Sequence, residues 1–255
     1  GALFALNHPA LDIGDACIGC AWEHELAADR IDAIEIVTAG SAQVFYEPAS
    51  VIWEGLAAQG KLVTAIGGSD DHRAGEDIGA FGAPIGSPTT MVFATELSVA
   101  GILEGIKQGR TVVKVRGPSD PMVELGSITR DAEGVPTQII ATITNGVGLD
   151  ARFVIDGAIG DSVVVDADPF QLVTDAVGEP GSEHRYRVEV LEGVTPVTLT
   201  SFISVATTAV DTRPVEPRGG GGLCTSSPGG SQGAGVAWAV GAAAAVGLMR
   251  RRKKR

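Results

Sequence analysis

Histidine, cysteine and aromatic side chains are scarce in this sequence: its 255 residues include four His, three Cys and 5% aromatics. Basic residues are few as well, 19 Lys and Arg against 31 Asp and Glu, for a formal charge of −12. Six of the nineteen stand together as Arg250-Arg251-Arg252-Lys253-Lys254-Arg255, which leaves the first 249 residues at −18. A body this acidic repels a phosphate backbone, so nucleic acid is excluded as a partner. There is no Walker loop and no dinucleotide-binding glycine fingerprint. Gly67-Gly68-Ser69-Asp70-Asp71 lacks the second glycine of a nucleophile elbow, so serine-hydrolase chemistry has little support there. Carboxylates are too numerous for composition to single out a glycosidase pair. What is present, 44% hydrophobic and 20% charged residues, excludes wholesale disorder and collagen-like structure. The chain opens without an initiator Met or signal peptide, directly inside a strand-like Ala2–Leu6, and is expected to be the C-terminal portion of a longer protein.

Three textures follow one another. Residues 1–117 alternate strand-like runs (Ala2–Leu6, Ile31–Val37, Lys61–Ile66) with helix-like ones (Trp22–Asp29, Ala49–Gln59, Val99–Gln108). Ser98 is the N-cap candidate of the last helix and Gly109 its terminator. Strands alternating with helices imply βαβ units, an α/β fold with a parallel sheet or barrel. Residues 118–212 change period. Gln138–Thr144, Ala151–Ile155, Ser162–Val165, Phe170–Val173, Arg185–Leu191 and Val197–Val205 are short, β-branched runs. Glu133-Gly134, Asn145-Gly146, Asp156-Gly157 and Glu192-Gly193 punctuate them as turns. This pattern predicts an all-β antiparallel sandwich of roughly seven strands. Residues 213–232 are a Gly/Ser/Pro-rich linker. The uncharged Gly233–Met249 leads into the basic hexapeptide. At ~1.5 Å per residue its length is roughly 25 Å, near the lower limit for a transmembrane helix, and the cations suit the cytoplasmic side. The other reading is an Ala-rich helix packed on the domain.

Two of the strand-like runs end in metal-ligand chemistry. Leu6-Asn7-His8-Pro9 closes one, and Ile66-Gly67-Gly68-Ser69-Asp70-Asp71-His72 closes another. Parallel strands present their C-terminal ends at one rim, so His8, Asp70 and His72 are expected to meet there. Imidazole nitrogen and carboxylate oxygen are donors for Zn²⁺, Mn²⁺ or Fe²⁺. Equally, Asp70 can be a turn cap and His72 an exposed polar residue. His24-Glu25 starts like a zincin helix, but position 28 is Ala, so His24 reads as an exposed helical residue. His184 reads as a loop residue. Cys17-Ile18-Gly19-Cys20 is one CxxC without a second, a local disulfide in an exported protein or a reduced structural pair. Cys224, in the flexible linker, has no packing role and suggests modification or processing.

Asn7-His8-Pro9, Asp32-Ala33-Ile34-Glu35-Ile36, Gly67-Gly68-Ser69-Asp70-Asp71-His72, Gly86-Ser87-Pro88-Thr89-Thr90, Leu97-Ser98 and Gly109-Arg110-Thr111, in that order, resemble the C-terminal half of PHP-type metallohydrolases, in the CehA/McbA branch. The resemblance covers residues 1–117. It implies a partial, distorted β/α barrel with two or three divalent metal ions at its mouth and ligand roles for His8, Asp70 and His72. Glu35 and Asp71 are near-site positions without an assigned ligand role. The family's N-terminal His-x-His is missing and is expected upstream of Gly1. Linker, Cys224, apolar span and basic end resemble the myxobacterial C-terminal sorting tag. That implies an exported protein at the cell envelope, with a membrane and a sorting protease as partners and lipidation or cleavage near Cys224. The expected function of the full-length protein is metal-dependent hydrolysis of a small-molecule ester (a phosphoester, carbamate or relative) by metal-activated water, residues 1–255 being inactive by themselves for want of the N-terminal half. The alternative is a non-catalytic surface scaffold or binding protein.

Overall fold

The computed structural model describes residues 2–12, 21–22, 24, 28–38, 42–72 and 84–207. Three short strands, β1 (Ala5–Leu6), β2 (Ala33–Thr38) and β3 (Thr64–Gly68), form a parallel sheet in the order β1-β2-β3. Helix α1 (Ala42–Ala57) connects β2 to β3. Ala49, Trp53, Leu56 and Ala57 recur at helical spacing and bury α1 against Ile34 and Ile36 of β2. Trp53 Nε1 also donates to Val63 O at 2.7 Å, which fixes the helix to the approach to β3.

After β3 the architecture turns antiparallel. Strand β4 (Thr89–Val92), helix α2 (Val99–Lys107) and strand β5 (Thr111–Lys114) precede β6 (Met122–Arg130) and β7 (Pro136–Thr144). There follow β8 (Asp150–Ile155), β9 (Ala158–Ile159), β10 (Val163–Val164), β11 (Phe170–Asp175), β12 (Glu183–Glu192), β13 (Thr195–Thr200) and β14 (Ile203–Ala206). One sheet runs β10-β8-β12-β13-β5-β4, with β9 also on β8 and β14 also on β12; the other is β11-β7-β6. Val123, Ile139, Ala141 and Ile143 of the smaller sheet pack against Phe153, Tyr186, Val188, Val190 and Val197 of the larger one, giving the expected sandwich core. Ser98 caps α2 as expected, its side chain accepting the Gly101 N–H at 3.0 Å.

The expected α/β fold with a partial barrel is corrected. Among the described residues only β1–β3 are parallel, two α-helices are present, and no sheet closes into a barrel. Side-chain hydroxyls explain where the parallel sheet stops. Along the outer edge of β3, Ala65 N donates to Ser201 Oγ (2.9 Å) and Ala65 O accepts from Thr111 Oγ1 (2.7 Å). Gly67 N donates to Thr90 Oγ1 (2.8 Å), and Gly67 O accepts from the same hydroxyl (2.7 Å). Buried backbone groups need partners, and three hydroxyls meet the need that a fourth parallel strand would otherwise fill. β4 and β5 instead run antiparallel to each other, and β5 is hydrogen-bonded to β13. In the expected helix Trp22–Asp29 the described residues form a bend and a 3-10 turn, Ala28–Arg30. Val197–Val205 is two strands rather than one, because Ser201 and Phe202 turn aside to serve β3 and the core around Trp53. The transmembrane helix expected over 233–249, the linker 213–232 and Cys224 lie outside the described residues, as do Cys17 and Cys20. Among the described residues no helix is long and apolar enough to cross a membrane. The architecture is predominantly β.

β12 is buried on both faces. Tyr186, Val188 and Val190 enter the sandwich core, while the alternate residues Arg187 and Glu189 meet α1. Glu189 Oε1 accepts from Tyr46 Oη and Arg187 Nη1, each at 2.6 Å, and Oε2 accepts from Arg152 Nε at 2.8 Å and Nη2 at 2.6 Å. Arg187 Nε reaches Glu54 Oε1 at 3.1 Å, and its guanidinium lies over the Trp53 ring at 5.2 Å. Burial by itself would raise the Glu189 pKa, but Arg187, Tyr46 and Arg152 together hold it below the ordinary value.

Candidate functional site

The register of the parallel sheet places three chain segments at one rim. Leu6 is level with Ile34, and Thr38 with Gly68. Residues 7–8, the end of β2 and residues 69–72 therefore leave the sheet on the same side. His8 and Asp70, each two residues beyond its strand, have φ of 33° and 48°. Left-handed backbone is uncommon for residues other than glycine, and it gathers at sites where surrounding contacts hold it in place.

Glu35 supplies such a contact. Its carboxylate is buried (7% exposed), and Oε2 accepts the His8 N–H at 2.7 Å. Oε1 lies against Gly68, where a Cβ would stand only 2.6 Å away, so glycine is needed there for room. The Glu35 pKa is raised, chiefly by burial and also by the charge of Asp70; the His8 N–H and the proximity of His8 partly offset this. Glu35, His8 and Asp70 thus share one electrostatic neighbourhood. His8 Nδ1 and Thr38 Oγ1, both shielded from solvent, have no hydrogen-bond partner among the described residues. Buried polar atoms are ordinarily satisfied, so each of these two has capacity for a water or a ligand.

His72 stands apart. Its Nε2 contacts Asp70 Oδ1 at 3.0 Å, with side-chain exposures of 81% and 37%, and a pair so open to water holds little energy. Asp71 is partly buried between them in the chain. Among the described residues no three His, Cys, Asp or Glu side chains are grouped closely enough to hold a metal ion. The rim places Glu35 against His8 and within the electrostatic reach of Asp70, without gathering the three as a ligand set, and leaves His72 on the outside. The donor chemistry suits a divalent cation at His8 and Asp70, and the orphaned imidazole nitrogen of His8 is the observation in its favour.

His24 is exposed, its ring edge-on to Trp22 with centroids 5.5 Å apart. His184 is not a plain loop residue. It stands between Asp156 (Nδ1···Oδ2 2.6 Å) and Ser182 (Nε2···Oγ 2.9 Å). The only sequence signal for this is that Ser182 and His184, two apart at the start of β12, share a face; Asp156 comes from the distant β8–β9 turn. No family model, curated protein or solved structure matches the chain.

Proposed function

We propose that the protein is a metal-dependent hydrolase whose site is the rim of the β1–β3 sheet. The observation that carries this reading is the buried, unpartnered Nδ1 of His8 beside Glu35 and Asp70. His8 and Asp70 are the donors in place, and Glu35 is a buried carboxylate that fixes the His8 backbone. Burial raises its pKa above the ordinary carboxylate value. A divalent metal bound there would activate water and stabilise the developing oxyanion. The substrate class is a small phosphoester, carbamate or related ester. Titration calorimetry with Mn²⁺ and Zn²⁺ tests the reading. The full chain should bind, and His8→Ala and Asp70→Asn should each weaken binding at least tenfold, with any p-nitrophenyl phosphate or naphthyl carbamate hydrolysis abolished by EDTA and restored by metal. No binding by the full chain, or binding unchanged in both variants, would overturn it. A non-catalytic surface scaffold is the second reading. It is favoured by the closed His72–Asp70 pair and by the lack of a three-donor group among the described residues.

A further inference from the structure

Helix α2 meets β4 with backbone rather than with side chains. A Cβ on Gly101 would stand 2.5 Å from Glu96 O, and one on Gly105 would stand 2.7 Å from Val92 Cγ1 and 3.0 Å from Phe93 O. These two glycines are the buried residues of the helix. A surface helix ordinarily turns an i, i+3, i+4, i+7 apolar stripe inward. In α2 that stripe is Val99, Ile102, Leu103 and Ile106, and at about 3.6 residues per turn it lies a third of a turn away from the glycine face. None of the four is buried. Val99 is 76% exposed, and Leu97, in the bend before the helix, is 98% exposed. Single exposed apolar residues are ordinary, but a whole helical stripe left open marks an interaction surface.

The charges at the two ends of the stripe identify what covers it. Glu96 lies just before the helix, its Oε1 accepting from Ser98 Oγ at 2.6 Å, and Lys107 is the last helical residue. Both are exposed, and neither forms an ion pair among the described residues. With an acid at one end and a base at the other, the stripe is complementary to itself when turned about a two-fold axis. We propose that α2 is a self-association helix, packing antiparallel on α2 of a second copy with Glu96 of each protomer paired to the partner's Lys107.

That pairing sets the axis near Ile102. Ile102 then meets the partner's Ile102, Val99 meets the partner's Leu103, and Leu97 meets the partner's Ile106. The antiparallel arrangement also places the positive N-terminal end of each helix beside the negative C-terminal end of the other. A parallel pair would instead bring acid onto acid and base onto base. A nine-residue helix buries less surface than a permanent dimer needs, so the association is reversible.

Carbodiimide treatment of an equal mixture of isotopically light and heavy full chains tests the geometry. The reagent joins a carboxylate to an amine with loss of water and adds no atoms. Glu96 and Lys107 of one chain are separated by roughly 16 Å along the helix, too far for an amide within that chain. An amide joining Glu96 of a light chain to Lys107 of a heavy one is the expected product. Sedimentation velocity over a concentration series reads the affinity. Ile102→Asp, Glu96→Lys and Lys107→Glu alter exposed side chains, and each should weaken association about tenfold or more. The double reversal Glu96→Lys with Lys107→Glu should restore association to about the parent affinity. A parent chain that stays monomeric up to about 1 mM would overturn the proposal and leave the stripe to a different partner. Association that none of the three single changes weakens, or that the double reversal fails to restore, would overturn it as well.

Discussion

Replacing Glu189 by Gln tests how α1 is held to the large sheet. The carboxylate is 2% exposed and accepts from two guanidiniums and a phenol. Gln removes the charge and turns an N–H₂ toward a guanidinium, which can only donate. If the NH₂ takes the Oε2 position Arg152 loses both of its short bonds, and if it takes Oε1 Arg187 is left with Glu54 at 3.1 Å. Removing one member of a buried ion cluster costs about 3–5 kcal/mol, because the stranded charge has already given up its water. With a urea slope of about 3 kcal/mol per M, the unfolding midpoint at pH 7 should fall by roughly 1–1.7 M. Tyr46→Phe loses one bond to a charged acceptor and should cost less, about 1.5–3 kcal/mol. The sign of the pH dependence follows from the depressed pKa of Glu189. Its contribution is present above the ordinary carboxylate range and is lost as pH falls through the folded-state value. The parent and Glu189→Gln should therefore converge in acid. A variant within 1 kcal/mol of the parent at pH 7, or a gap that widens in acid, would refute the reasoning.

Glycines provide three further checks. Gly55 in α1 has nothing within 4 Å of a new Cβ, so Gly55→Ala should stabilise the chain by about 0.5–1 kcal/mol in thermal unfolding. Gly101 in α2 would put its Cβ 2.5 Å from the backbone oxygen of Glu96, so Gly101→Ala should instead destabilise by about 1–3 kcal/mol despite its better helix propensity. Gly68→Ala should cost about 1–2 kcal/mol by displacing Glu35 from the His8 N–H, and most of that loss should vanish in a Glu35→Ala background. Additive effects of the Gly68 and Glu35 changes would show that the two do not meet.

Legibility in the sequence tracked how local each determinant is. Ser98 and the apolar spacing after it give α2 almost to the residue, because a cap and a helical face lie within one segment. The helix-like run read as Ala49–Gln59 is α1, which starts at Ala42 and carries Pro48 inside, its packing on β2 outweighing one missing hydrogen bond. The direction of β4 and β5 was illegible. Thr111–Lys114 reads equally well as a parallel or an antiparallel strand, and the decision rests with Val112–Lys114 pairing against Thr198–Thr200 much later in the chain. At the rim, strand-end reasoning located His8 and Asp70, since parallel strands must deliver their ends together. It had no means of foreseeing that His72 turns outward or that Gly68 leaves room for Glu35. The partners of His184 were hidden for the same reason as β5: a contact between residues far apart in sequence leaves no periodicity to read.

The pairing of β5 with β13 bears on how the polypeptide can be divided. A cut after Gly117, where the texture of the sequence changes, would run through a continuous hydrogen-bonded sheet. One fragment would take β4 and β5 away, baring the edge of β13 at Thr198–Thr200 together with the apolar Leu199 and Phe202. That same fragment would keep Val113 and Val115 but lose Leu199 and Phe202 from the core they share. Unpaired strand edges flanked by β-branched residues template the addition of further chains. Halves produced separately should therefore be insoluble apart, and should recover solubility when synthesised together and allowed to zip along the β5–β13 seam.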